Sequence, residues 1–188
     1  MNWLKHLDKT AGLLIVAAAL SRLIPHWPNF TPVMAIALFA GATFAAKRSA
    51  VIVPIAAMIL SDIALGAVLG WEYTLHSSQW AVYACVAGVA ILGTSFAGRG
   101  IMSTTFLGGS IAAVGFFLVT NFAVWLGSGM YAPTVEGLMA CYAAGLAFYR
   151  DGGNFFVNGL VSTWVFTAGL MALHALASRK TVQLGSTK

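Results

Sequence analysis

Apolar runs of about membrane-crossing length alternate with short polar or proline-rich connections along the chain. A bilayer core takes about 20 helical residues, with a range of roughly 17–25. On that scale the runs at about 5–24, 30–46, 49–70, 80–96, 104–125 and 155–177 read as spans. The first is apolar only from 11 onward, and extending it back to Lys5 lets Lys5 and Lys9 snorkel to one interface. A seventh stretch, 135–149, is too short to cross and ends at the turn signal Arg150-Asp151-Gly152-Gly153. The pattern predicts an all-α integral membrane protein: a six-transmembrane-helix bundle in one domain over 1–188, with a short extra helix between spans five and six.

The least membrane-like passage of the first half is Pro25-His26-Trp27-Pro28-Asn29-Phe30-Thr31-Pro32. Its prolines fix φ, remove backbone donors and push the preceding residues out of the α region. Irregular backbone at membrane depth is tolerated only against protein or a water-filled cavity. The segment is therefore either a loop outside the hydrocarbon or a wall that lines something.

Composition supports the membrane reading, since 60% of the residues are hydrophobic and 8% charged, against about 25% charged in soluble domains. The net charge of +5 comes from basic residues in short patches between apolar runs, with no stripe suited to nucleic acid. Cys85 and Cys141 sit in apolar segments and read as small buried hydrophobes. The amino terminus reads as a retained first helix, because no small-residue cleavage site follows it.

Lysine and arginine set the expected orientation. With both termini cytoplasmic, Lys5, Lys9, Lys47, Arg48, Arg99, Arg179, Lys180 and Lys188 lie inside, and only Arg22 and Arg150 outside. The outer connections are then 25–32, 71–79 and 127–154, which hold most of the polar and aromatic residues. Asp62 lies beneath them, about 12 Å from the outer end of its span at the helical rise. A lone acid at that depth faces the bundle interior or a cavity. It either pairs with Arg22 or Arg150, contacts a ligand, or carries protons.

Arg22 either snorkels or meets a ligand, and Arg150 sits at a glycine turn suited to clamping an anionic or amide group. Trp27, Trp71, Tyr73, Trp80 and Tyr83 form an aromatic belt or stack on a flat ligand. Asn29 and Asn121 add amide groups to the same end, Asn121 near the far end of its span. His76 is either solvated or a metal ligand, including for cobalt in a corrin ring. His26 carries the same two readings, and His174 reads as a satisfied core residue.

Residues 25–33, Ala37-Leu38-Phe39-Ala40-Gly41-Ala42, Ser61-Asp62-Ile63-Ala64-Leu65-Gly66, Thr120-Asn121-Phe122-Ala123-Val124-Trp125 and 131–150 together resemble the signature of a family of small bacterial transport proteins. That family is similar to the substrate-binding S-components of energy-coupling-factor (ECF) vitamin transporters, and its nearest assigned type is the BtuM-like cobalamin transporter. The resemblance covers about 11–177. It implies six spans, with a ligand held beneath loops 1, 3 and 5, which fall at the three outer connections. It also implies that Asp62, Tyr83 and Arg150 supply an acid, a tyrosine and an arginine to the site. The third loop has no cysteine and offers His76 as a cobalt ligand.

The expected function is a substrate-binding protein of the bacterial inner membrane that takes up a vitamin-sized molecule, with cobalamin or another corrinoid as a candidate. No intrinsic cofactor is expected. The chain has no P-loop, so energy would come from a partner ATPase module of the ECF type or from a gradient, or the chain would act alone. An intramembrane enzyme is the alternative, but it would need a nucleophile with a base or a metal cluster, and neither has an evident partner set here. A structural or assembly subunit is the third class. It explains small residues at spacing four, such as Ala84 and Gly88, but not the polar outer cluster.

Overall fold

A computed structural model of the protein describes residues 8–185, with the side chains of Tyr73 and of 179–185 outside that description. The chain folds as α1 (Lys9–Leu20), a 3-10 turn (Ser21–Leu23), α2 (Val33–Thr43), α3 (Lys47–Leu69) and a second 3-10 turn (Trp71–Tyr73). It continues through α4 (Gln79–Thr94), a π-helical segment (Ser103–Gly108), α5 (Gly109–Gly127), α6 (Val135–Leu146) and α7 (Phe155–Gly185). Between α6 and α7 a small antiparallel hairpin pairs β1 (Phe148–Tyr149) with β2 (Gly153–Asn154), Phe148 opposite Asn154.

Local chemistry sets several boundaries. Asp8 caps α1, its Oδ1 accepting the Ala11 N–H at 3.0 Å. The proline segment keeps the backbone non-helical up to Pro32, with Asn29 at φ 61 in the left-handed region. α3 stops at Gly70, whose φ of 102 suits only glycine. Thr134 caps α6 by accepting the Gly137 N–H at 3.2 Å. The Glu136 carboxylate, bonded to its own backbone N–H and to the Thr134 hydroxyl, is held below the ordinary glutamate value.

α2 is the axis of the bundle, with nine of its eleven residues buried. It packs against α1, α3, α4, α5 and α7. One apolar cluster joins Ile15, Ile36, Phe39, Phe44 and Leu170, and another joins Met34, Leu38, Met58, Val86 and Phe96. α2 and α4 touch backbone to backbone at Gly41 and Gly93, where a Cβ on Gly41 would fall 2.2 Å from the Ala90 carbonyl oxygen. No larger residue fits that crossing.

Among the described residues, three helical stretches are long and apolar enough to cross a membrane: Lys47–Leu69, Ser103–Gly127 and Phe155–Ser178, of 23, 25 and 24 residues. They correspond to the expected spans at 49–70, 104–125 and 155–177. The other three expected spans are shorter as helices. The run at 30–46 yields only α2, because the prolines delay its start and Phe44 is extended. The run at 80–96 yields the 16 residues of α4. The run at 5–24 yields the 12 residues of α1 and a 3-10 turn, with 5–7 outside the described residues. The short helix expected at 135–149 ends at Leu146, since its last residues enter the hairpin.

Candidate ligand-binding chamber

Arg22 leaves the end of α1 on the 3-10 turn and reaches α3. Its Nη1 donates to Asp62 Oδ1 at 2.7 Å, to the Ser61 hydroxyl and, at 3.4 Å, to the Met58 sulfur. The other carboxylate oxygen, Asp62 Oδ2, accepts from Gln79 Nε2 at 2.8 Å and from the Tyr83 hydroxyl at 2.7 Å. Gln79 and Tyr83 are four residues apart, so both project from one face of α4. The Arg22 and Asp62 side chains are only 12% and 10% exposed. The pair and its neighbours thus join the end of α1 to α3 and α4, with each carboxylate oxygen of Asp62 hydrogen-bonded.

Above this pair lies a cavity of about 420 Å³, whose polar lining includes Arg22, His26, Asn29, Asp62, His76 and Gln79. A second cavity of about 360 Å³ is lined by His76, Asn121, Tyr131, Cys141, Tyr149 and Phe155 among others. Asn29, His76, Val82 and Phe116 line both, so the two spaces form adjoining parts of one chamber. All three expected outer connections contribute: loop 1 (25–32), loop 3 (71–79) and loop 5 (127–154). The proline segment is a wall of this chamber as well as a loop.

The chamber walls hold defined side chains. His76 Nδ1 lies 3.0 Å from the Ser78 hydroxyl, which orients the ring. Tyr149 stacks on Phe155 with ring centroids 5.0 Å apart. Burial, with Cys141 and Tyr149 nearby, pushes the Tyr131 phenol above its ordinary value, so it adds no charge at neutral pH. Among the described residues no group of three or more His, Cys, Asp or Glu side chains is placed to hold a metal ion.

The structure brings Asp62, Arg22 and Tyr83 together and sets Trp27 and Asn29 on the same cavity, with Asn121 in the adjoining one. Tyr83 lies behind the acid and orients it without lining the cavity. Arg150 stands apart: it is exposed at the hairpin turn and lines neither cavity. The pairing of Asp62 is therefore with Arg22. The Tyr73 side chain lies outside the described residues. His174 is engaged, as expected of a core residue, by Asp8 and by an edge contact with Phe39. Sequence reasoning missed Gln79, Ser61 and Phe116; the spacing of Gln79 from Tyr83 was the available signal for the first.

The fold and site together define a helical bundle with a polar chamber and, among the described residues, three helices long and apolar enough to cross a membrane. The chain belongs to DUF6580, a family of unknown function, which matches residues 7–184. Comparison with curated proteins and with solved structures gave no match.

Proposed function

We propose that this protein binds a vitamin-sized small molecule in the chamber beneath loops 1, 3 and 5 and serves its uptake across the bacterial inner membrane. The observation that carries this reading is the convergence of all three loops on two adjoining cavities of about 420 and 360 Å³. That is the size range of small-molecule sites, and mixed apolar and polar walls are their usual lining. Asp62, Arg22, Trp27, Asn29 and Asn121 are the proposed contacts, with His76 the proposed ligand of a metal such as cobalt in a bound corrinoid. Tyr83 acts through Asp62.

Six crossings remain the proposed architecture. α2 is sheathed by its neighbours and so need not match the bilayer by length alone. Both termini are placed in the cytoplasm by the bias of lysine and arginine. The energy source is an ATPase module of the ECF type or the ligand gradient.

Gentle detergent purification, followed by mass analysis and an absorbance spectrum, tests the binding claim. A stoichiometric small molecule is expected, and a corrinoid would be coloured. Asp62→Asn should insert in the membrane yet lose most of that molecule, and Arg150→Ala should lose less. An empty wild type in several lipid and growth conditions, or unchanged retention in both variants, would remove the site.

A further inference from the structure

Two loops more than a hundred residues apart in sequence are fastened to α7 by one side chain. Asn158, 7% exposed, donates from Nδ2 to the Pro28 carbonyl of loop 1 at 2.9 Å and to the Gly152 carbonyl of loop 5 at 2.8 Å. Both hydrogens of its amide nitrogen are thereby used, one on each loop. One turn later, the Ser162 hydroxyl lies 3.3 Å from the Asn29 carbonyl and shares its one proton between it and the Gly159 carbonyl of α7 at 3.0 Å. On the loop 5 side, Gly153 at φ 64 folds the hairpin against Asn158, and a Cβ there would lie 3.2 Å from Asn158 Oδ1. Asn154 secures the same hairpin by donating to the Leu146 carbonyl at 2.6 Å.

Loop 3 is held differently. Its bonds run within itself and, through Gln79, to Asp62. Among the described residues no hydrogen bond joins it to loop 1 or loop 5. The chamber therefore has a seam, with loops 1 and 5 on one side and loop 3 on the other.

We infer that Asn158 is a positioning residue that makes loops 1 and 5 a single lid seated on α7, so that the chamber opens along the edge of loop 3. The role of that lid rests on the proposed binding function; its mechanical coupling does not. Local openings of a native protein release the segments that share fastenings together.

The test uses the full chain in lipid nanodiscs, with amide hydrogen exchange and labelling of the native cysteines by a membrane-impermeant maleimide. Cys141 lines the chamber and Cys85 lies buried in α4 away from it, so the second reports general unfolding. Asn158→Asp keeps the side-chain volume but sets carboxylate oxygens against the two carbonyls. It should raise exchange in 25–32 and in 148–154 by about tenfold each, on the scale of two lost hydrogen bonds, with 71–79 unchanged. Cys141 should label faster by a similar factor and Cys85 should not. Ser162→Ala should loosen loop 1 alone.

A rise in one loop only, an equal rise in all three, no rise, or parallel gains at Cys85 and Cys141 would overturn the inference. If Asn158→Asp does not fold, the wild type decides. Loops 1 and 5 should then share one opening free energy and loop 3 should have another, and a different value for each loop would overturn it. A wild type without bound small molecule would refute the proposed function and leave this coupling intact.

Discussion

At one end of α1 Arg22 pairs with Asp62; at the other Asp8, the cap of the same helix, pairs with His174 at 2.5 Å. The first pair is deep, and its carboxylate accepts from three side chains on two helical segments at once. The second is looser, with side chains 20% and 35% exposed, and ties the start of α1 to α7. Surroundings rather than chemistry separate them. Arg22 and Asp62 adjoin a cavity, and every polar atom of the carboxylate is bonded within the protein. Asp8 and His174 close a joint in which water can replace either partner. A buried pair is fragile when halved, whereas an exposed pair contributes little.

The comparison breaks most visibly if one partner is removed from the buried pair. Arg22→Ala leaves the buried Asp62 carboxyl without its cationic partner and should cost about 3–5 kcal/mol, read as a large drop in thermal unfolding temperature in detergent. Adding Asp62→Asn to that variant should restore much of the stability without restoring ligand retention. Equal stability of Arg22→Ala and wild type would show that the buried pair adds nothing net to the fold and would erase the contrast with Asp8–His174. Tyr83→Phe removes one hydrogen bond to the charged acid and should cost about 1.5–3 kcal/mol, with weaker retention of bound ligand because the carboxylate can turn. Asp8→Asn keeps the helix cap and loses only the partly exposed pair. Its cost should fall within about 1 kcal/mol, so a loss comparable to that of Arg22→Ala would erase the distinction.

Much of the helical framework and part of the chamber were legible in the sequence. Hydropathy located the long helices to within a few residues, because apolar runs and breaker residues leave little choice, except that α7 runs on past the expected end at 177 to Gly185. It overstated three spans, since a hydropathy window counts side chains and cannot see the backbone that Pro28, Asn29 and Pro32 impose before α2. Asp62 and Arg22 stood out as costly residues in apolar surroundings, and the structure joins them. Gln79 did not, because a polar residue at a predicted loop edge reads as solvated until α3 is placed beside it. Arg150 looked like a clamp from its setting between Tyr149 and Asp151. The hairpin register instead leaves it exposed at the turn. Asn158 was invisible for a different reason: its partners are backbone carbonyls of two distant loops, which carry no residue signature.

The central claim is that the chamber between loops 1, 3 and 5 is a binding site, and Val82 offers the most direct test because it lines both of its cavities. Val82→Phe adds bulk there while leaving Arg22, Asp62, Gln79 and Tyr83 unsubstituted. Native mass spectrometry of wild type and this variant, released from the same nanodisc lipid, should show a small molecule on the wild type and its loss from a variant of unchanged unfolding temperature. A bound molecule retained equally by both would contradict the account.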